Sequence, residues 1–181
     1  MENQRIAVIE KKNNIRKLIK ERIISFPFRD DFSLKICEKA YELVLSKNAK
    51  KVALYYPLSD EVNTLPLIEK LLSSSISVFL PKTSDSDMNF YKYEKDTVIK
   101  VGNLGAYEPL FGAPETDFDV IFVPLRAFDK NNYRLGRGKG YYDKFLSKNP
   151  SFSVGLAFSI QQVESVPFDE FDVPLDMIIY F

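Results

Sequence analysis

Helix-like and strand-like segments alternate along this 181-residue chain, and the alternation limits the folds that it can adopt. Apolar residues at helical spacing predict two N-terminal helices, over about 4–25 and 31–47, and two more from Thr64 to about Leu72 and over 141–149. Apolar runs that are short and nearly continuous predict strands at 51–57, 75–81, 88–93, 118–124, 152–158 and 175–181.

This pattern is typical of the α/β class. It predicts a three-layer α/β/α arrangement, with a mainly parallel central sheet, helices on both faces and two N-terminal helices. Residues 94–117, which are rich in glycine and proline, are predicted to be loops around short strands. The length fits a single domain over 1–181. Because ligands bind beyond the carboxyl ends of the strands in such sheets, we expect the functional site there.

The composition excludes several kinds of chemistry. The chain contains no histidine, which rules out a Ser–His–Asp triad, a Cys–His pair and an imidazole metal ligand. Cys37 is the single cysteine, and its place among the apolar positions of a predicted helix indicates a buried, unreactive thiol. Any metal ion must therefore be held by oxygen, which favours magnesium over zinc.

Charge and hydropathy bear on the partners of the chain. The 25 basic and 25 acidic side chains cancel, so the basic excess of a nucleic-acid-binding protein is missing. No apolar run approaches the ~18 residues of a membrane span, and the N-terminal segment lacks the pattern of a secretory signal. We expect a soluble, cytoplasmic monomer with neither a nucleic acid nor a membrane as partner.

The segment NNYRLGRGKGYYDKFL, residues 131–146, places three glycines at alternate positions ahead of a predicted helix. Gly136, Gly138 and Gly140 would let the backbone wrap closely around an anion, and the helix N-terminus adds N–H donors there. Arg137 and Lys139 lie between the glycines, and both side chains suit phosphate. Asp143, in the first helical turn, suits magnesium. The segment therefore predicts a phosphate site.

Two other interpretations use the same residues. The glycines can form a tight connection only, with Asp143 serving the helix dipole. The stretch RGKGYYDKF also matches part of an RNA-recognition signature, in which a basic residue and a glycine precede stacking aromatics. Lys139 stands where that signature needs an aromatic residue, and YYDKFL has helical rather than strand spacing. The combined spacing, cations and following acid favour the anion site, although the segment is not a Walker A loop.

The stretch FVPLRAFDKNNYRLGRGKGYYDKFL, residues 122–146, resembles the signature of the 5-formyltetrahydrofolate cyclo-ligase family. That signature is P-x-x-a-F-D, a short gap, and then R-L-G-x-G-x-G-Y-Y-D. Shorter landmarks extend the resemblance over nearly the whole chain, namely KNNIR at 12–16, YYPLSDEVNT at 55–64, FLPK at 79–82, AYEP at 106–109 and VPFDEFDVPLDMII at 166–179. The chain departs from many relatives at Phe171, where they carry a histidine.

The resemblance implies an enzyme that couples ATP hydrolysis to a ring closure. Its substrates would be ATP and 5-formyltetrahydrofolate, its products 5,10-methenyltetrahydrofolate, ADP and phosphate, and its cofactor Mg²⁺. Transfer of the γ-phosphoryl group to the formyl oxygen would create a leaving group, which N10 then displaces. Phosphoryl transfer requires positioning and charge stabilisation from the protein, so the lack of histidine agrees with this reaction. A sugar-phosphate isomerase on a similar sheet is the alternative enzyme.

The resemblance also implies roles for individual residues. The catalytic group would be Arg137, Lys139 and Tyr141. ATP would contact these three residues and also Lys12, Arg16, Arg134, Leu135, Gly136, Gly138, Gly140 and Tyr142. The folate would contact Tyr56, Tyr142 and Glu61, with Glu61 accepting hydrogen bonds from pterin N–H groups. Asp143 and Asp172 would hold the magnesium ion.

Overall fold

A computed structural model describes residues 2–102 and 104–181, with side chains from Ile6 onward. Its helices are α1 (Glu2–Ser25), α2 (Arg29–Ser46), α3 (Leu65–Ser73) and α4 (Tyr141–Lys148), and a short 3-10 helix spans Ser159–Gln161. Its strands are β1 (Lys51–Ala53), β2 (Ser77–Thr83), β3 (Met88–Tyr93), β4 (Ile99–Val101), β5 (Tyr107–Pro109), β6 (Pro114–Glu115), β7 (Val120–Pro124), β8 (Ala127–Phe128), β9 (Arg134–Leu135), β10 (Phe152–Ala157) and β11 (Met177–Tyr180).

Seven strands form the central sheet, in the order β11–β10–β7–β1–β2–β3–β6. The first five run parallel, whereas β3 is antiparallel to both β2 and β6. The pairs β4–β5 and β8–β9 form separate two-stranded sheets. The predicted α/β class, with its mainly parallel sheet and two N-terminal helices, is confirmed.

Alternate residues of the buried strands face opposite layers, as the period of two in a strand requires. Phe122 of β7 belongs to the apolar cluster that contains the buried side chains of α2 and α3. Its neighbours Ile121 and Val123 belong to the other cluster, together with Phe145 and Leu146 of α4. The sheet is therefore covered on both faces.

The first helix packs on the β8–β9 pair. Ile19 and Ile23 of α1 are fully buried against Ala127 and Leu135. This contact places α1 beside the connection from β9 to α4, which contains the glycines. None of the helices in the described ranges is long and apolar enough to cross a membrane.

The first strand is shorter than predicted, since β1 ends at Ala53 and only the N–H of Leu54 continues the pairing with β2. Leu54 and Tyr55 stay buried, and the carbonyl of Tyr55 accepts a hydrogen bond of 2.7 Å from the Thr64 hydroxyl. Thr64 does precede α3 at the N-cap position, but it makes no side-chain capping bond. Its hydroxyl instead fixes the path of the chain between β1 and α3.

A hairpin separates β7 from the glycine segment, which was expected to follow that strand directly. Asp129, only 2% exposed, shapes the hairpin. Its Oδ1 accepts hydrogen bonds from the backbone N–H groups of Asn131 (2.9 Å) and Tyr133 (3.3 Å), and its Oδ2 accepts one from Val166 (2.9 Å). Since all three donors are backbone groups, this signature aspartate positions the segment that carries the glycines.

Candidate active site

A cavity of about 900 Å³ opens at the carboxyl ends of β1, β2 and β7. Its walls come from α1, the loop after β1, the β7–β8 connection, the glycine segment, the first turns of α4 and residues 169–173. The volume is in the range of small-molecule binding sites. Every residue predicted for the ATP, folate and magnesium sites lines this one cavity.

Residues 136–140 form a bend between β9 and α4, called here the glycine bend. Gly138 (φ +99°) and Gly140 (φ +68°) have left-handed backbone angles, which side chains other than glycine rarely adopt. A Cβ at Gly138 would lie 3.2 Å from Nη2 of Arg16. Gly140 is the N-cap of α4, so the free N–H groups of the helix begin at the bend.

Arg16 connects α1 to the glycine bend. Its Nε donates a hydrogen bond of 2.9 Å to the carbonyl oxygen of Gly136, and its Nη1 donates one of 2.7 Å to Asn13. Burial lowers the pKa of Arg16, and the charge of Asp172 partly offsets this effect. A partly desolvated cation therefore lies against the bend, where it favours an anion.

Lys12 lies one helical turn before Arg16, on the cavity side of α1. Its Nζ donates a hydrogen bond of 2.6 Å to Asp172 and lies 3.4 Å from Asp169. Asp169 was not predicted from the sequence. Its backbone N–H donates to Oδ2 of Asp172 at 2.9 Å, so the two acids form one short turn that faces Lys12.

Arg134 is 7% exposed and lies beneath the glycine bend. Its Nη2 donates a hydrogen bond of 2.9 Å to Oδ1 of Asp143, and its Nη1 donates one of 2.7 Å to the carbonyl of Val173. The N–H of Val173 also donates to Oδ1 of Asp143, at 3.2 Å. Because Val173 follows Asp172, these bonds bring the two predicted magnesium ligands close together.

The two carboxylates fit a magnesium ion that a nucleotide carries with it. Among the described residues, no group of three or more His, Cys, Asp or Glu side chains is arranged to hold a metal. The described hydrogen bonds to Asp143 fall on Oδ1 alone, and those to Asp172 fall on Oδ2 alone. Each side chain thus keeps one oxygen for a ligand, and magnesium on phosphates needs only one or two protein carboxylates.

Asp60 and Glu61 follow each other in the loop after β1, and Glu61 lines the cavity. Arg137 bridges them, with a hydrogen bond of 3.1 Å from its Nε to Oε1 of Glu61 and one from its Nη2 to Oδ1 of Asp60. Nη2 of Arg126 pairs with the other oxygen of Asp60. Burial acts to raise the pKa of Asp60, but Arg126 and Arg137 outweigh it and lower the pKa.

Neither Asp60 nor Arg126 was predicted as a site residue. The sequence carries one signal for Arg126, which is a charged residue within the otherwise apolar stretch FVPLRAF that begins in β7. Nothing marks Asp60 apart from its place beside Glu61.

The predicted tyrosines occupy three different environments. The hydroxyl of Tyr141 donates a hydrogen bond of 2.9 Å to the carbonyl of Ser84, which ties α4 to the β2–β3 loop. The hydroxyl of Tyr142 is buried and lacks a hydrogen-bond partner in the described part of the chain. Burial, and then the charge of Glu61, raise the pKa of Tyr142. Tyr56 packs against Tyr107 of β5, with ring centroids 5.0 Å apart.

The two remaining predicted residues differ in exposure. Lys139 is exposed at the mouth of the cavity, and it makes no hydrogen bond or ion pair within residues 6–102 and 104–181. Leu135 is buried under α1, so its side chain supports the bend from below. Lys139 is therefore the cation of the bend that a ligand can engage without first breaking a contact.

The sequence model of the 5-formyltetrahydrofolate cyclo-ligase family matches residues 8–181. The chain belongs to this family. The cyclo-ligase of Haemophilus influenzae is 37% identical over 150 residues, which cover 77% of this chain and 80% of the relative. That of Escherichia coli is 33% identical over 141 residues, which cover 72% and 78%.

Solved structures agree with the cyclo-ligase assignment. The NMR structure of the 5,10-methenyltetrahydrofolate synthetase of Aquifex aeolicus superposes with a TM-score of 0.82 at 35% identity, and the match covers 93% of this chain and 89% of that one. The synthetase of Mycoplasma pneumoniae gives a TM-score of 0.74 at 29% identity, covering 93% and 97%.

Proposed function

We propose that this chain uses Mg–ATP to convert 5-formyltetrahydrofolate into 5,10-methenyltetrahydrofolate, by phosphorylating the formyl oxygen and letting N10 displace phosphate. The enzyme class, an ATP-dependent ligase of folate one-carbon metabolism, follows from family membership. The chemical steps and the residue roles are the proposal. The observation that supports them is one cavity that is lined both by the cationic glycine bend and by Glu61 with several tyrosines.

The triphosphate would lie along the glycine bend, where backbone N–H groups and the N-terminus of α4 attract negative charge. Arg16 and Lys12 would contact phosphate from α1. Lys12 would have to exchange its bond with Asp172 for a phosphate oxygen. Asp143 and Asp172 would hold the magnesium ion, which neutralises phosphate charge when bound.

Ring closure requires the formyl oxygen to become part of a good leaving group. In the proposed step, this oxygen attacks the γ-phosphorus and ADP departs. The lone pair of N10 then attacks the activated formyl carbon, the C–O bond breaks, phosphate leaves and N10 loses its proton. Lys139 and Arg137 would neutralise the charge on the transferred group, which is the main demand of phosphoryl transfer on a protein. Tyr141 would fix the position of α4 beside them through Ser84.

The folate would bind with its pterin ring in the recess of Glu61, Tyr56 and Tyr142. One oxygen of Glu61 already accepts a hydrogen bond of 3.0 Å from the backbone N–H of Leu58, which holds the carboxylate in place. The other oxygen is paired with Arg137. Pterin N–H groups would replace Arg137 when this side chain turns toward phosphate.

A turnover assay tests the proposal. Purified protein, Mg–ATP and 5-formyltetrahydrofolate together should produce the methenyl chromophore, seen as rising near-ultraviolet absorbance, and one ADP for each folate. Folded protein that gives no chromophore would refute it. ADP release that requires the folate would exclude a sugar-phosphate isomerase, since isomerisation consumes no ATP. Strongly salt-dependent RNA affinity without turnover would favour the RNA-binding alternative.

A further inference from the structure

The guanidinium group of Arg126 has one buried nitrogen with no hydrogen-bond acceptor in the described part of the chain. The residue is 7% exposed, and its Nη2 pairs with Asp60. Its Nη1 is buried and has no hydrogen-bond partner among the described residues. A buried donor without an acceptor is destabilising, and native proteins rarely keep one without a reason.

The backbone holds Arg126 in a fixed position. Its N–H donates a hydrogen bond of 2.6 Å to the carbonyl of Leu135, and its own carbonyl accepts one of 3.1 Å from Nε2 of Gln161. The residue lies just beyond the carboxyl end of β7 and lines the cavity. The main chain of Arg126 is therefore fixed at the cavity wall, and its ion pair with Asp60 holds the guanidinium.

Arg126 is connected to Glu61, the residue that is proposed to recognise the pterin, through two other side chains. Its partner Asp60 directly precedes Glu61, and Arg137 bridges Asp60 and Glu61. The four side chains form a continuous polar row, in the order Arg126, Asp60, Arg137, Glu61. One end of the row is Arg126, with its unused donor Nη1. The other end is Glu61, whose carboxylate accepts hydrogen bonds.

The edge of a pterin ring presents a matching set of groups. The 2-amino group and N3–H are donors, and the O4 carbonyl oxygen beside N3 is an acceptor. In the proposed function Glu61 accepts from the donors, so O4 needs a donor close to Glu61. We infer that Arg126 donates a hydrogen bond through Nη1 to O4 and thereby selects 4-oxo over 4-amino pterins. This inference rests on the proposed function, which supplies the pterin partner of Glu61.

Arg137, which is paired with Glu61, turns toward phosphate in the proposed function. The other polar groups near Glu61 cannot make the same selection. Both terminal nitrogens of Arg134 are used, by Asp143 and Val173. The Tyr142 hydroxyl can donate or accept, so it suits an amino group as well as a carbonyl group. An arginine has donors only, and an amino group at position 4 would leave Nη1 facing another donor.

Calorimetric titrations without ATP test the inference. The probes are 5-formyltetrahydrofolate and its 4-amino counterpart. Wild-type protein should bind the 4-oxo compound roughly 10- to 100-fold more tightly, the range expected for a hydrogen bond to a buried charged donor. Arg126→Met should lower this preference about 10-fold or more, the value of one such hydrogen bond. The remainder is due to Glu61, because N3 carries a proton in the 4-oxo ring and a lone pair in the 4-amino ring. Asp60→Asn removes the ion pair but keeps the donor, so it should keep the preference and separates recognition from a structural role.

Wild-type protein that binds both compounds equally would overturn the inference, whatever the variants do. Arg126→Met that folds by circular dichroism and keeps the full preference would also overturn it. Should Arg126→Met not fold, the double variant Arg126→Met/Asp60→Asn, which removes the donor without leaving the Asp60 charge unpaired, takes its place with the same expected loss. Turnover of 5-formyltetrahydrofolate without the preference would reject this inference alone. The preference without turnover would reject the proposed function alone.

Discussion

Arg137 donates a hydrogen bond of 3.1 Å to Glu61, and this bond joins the glycine bend to the loop after β1. The proposed function gives the two residues different ligands, phosphate for Arg137 and the pterin for Glu61. While the two side chains are paired, the guanidinium of Arg137 is not available to phosphate, and the carboxylate of Glu61 is not fully available to the pterin. A nucleotide that draws Arg137 toward its phosphates would free Glu61, so the contact couples the two substrates.

We expect a non-hydrolysable Mg–ATP analogue to tighten the binding of 5-formyltetrahydrofolate about fivefold or more, which is the lower end of usual coupling between sites. In Arg137→Ala, Glu61 is free from the start, so the analogue should no longer change the folate affinity. Folate titrations with and without the analogue measure both effects. Equal folate affinity in the two wild-type titrations would contradict the coupling.

Lys139→Ala should lower kcat by about 100-fold or more, as the loss of one charge-stabilising group does elsewhere. Folate affinity should stay nearly unchanged, because Lys139 lies at the bend and not in the Glu61 recess. Steady-state kinetics and a folate titration separate the two quantities. Lys148→Ala is the matched control, since Lys148 is exposed in the last turn of α4, the helix that follows the bend, and does not line the cavity. An unchanged kcat in Lys139→Ala would remove Lys139 from the mechanism.

Gly138→Ala should weaken ATP binding and destabilise the fold. Its backbone angle costs a side chain about 1 kcal/mol, and the new Cβ would press on the guanidinium of Arg16. Gly136→Ala is the comparison, because its Cβ would meet no atom within 4 Å and its backbone is not left-handed. Nucleotide titrations and thermal unfolding of both variants measure the difference. Equal losses in the two variants would show that the contact with Arg16 does not matter.

The helices and the long strands of the sheet could be predicted from the sequence because their apolar residues are periodic. Most of the phosphate and magnesium site could be predicted because it lies within one contiguous segment, 134–143. The β8–β9 hairpin could not, because strands of two residues leave no periodic signal. The packing of α1 on this hairpin was hidden for the same reason.

The row that contains Asp60 and Arg126 is a second feature that the sequence did not reveal. Its members come from the loop after β1, the β7–β8 connection and the glycine bend, so only the parallel arrangement of β1 and β7 brings them together. Pairing between charged residues that lie far apart in the chain leaves no local pattern. The residues that the family signature specifies were found, whereas Arg126, at a signature position that allows any residue, was not.

The thiol of Cys37 should be unreactive in the folded protein. Cys37 is 4% exposed, as its place in the predicted helix indicated, and burial raises its pKa to about 11. At pH 8 its reaction with a disulfide reagent should therefore be slow and should accelerate only as urea unfolds the chain. Ser86→Cys in a Cys37→Ala background places a thiol at an exposed position and should react at once. Fast modification of native Cys37 would contradict the burial.

The ion pairs of Asp60 should make stability depend on pH in the acid range. Arg126 and Arg137 outweigh the opposite effect of burial and hold the pKa of Asp60 in the folded protein below its ordinary value of 3.8. The stabilisation is therefore complete above about pH 3.8 and is lost as the pH falls through the lower folded-state pKa. Urea unfolding should show Asp60→Asn about 1–3 kcal/mol less stable than wild type at pH 7, with the difference shrinking below pH 4. Asp96→Asn, at an exposed position, is the control and should be as stable as wild type at pH 7 and below pH 4. A stability difference for Asp60→Asn that grows in acid would contradict the lowered pKa of Asp60.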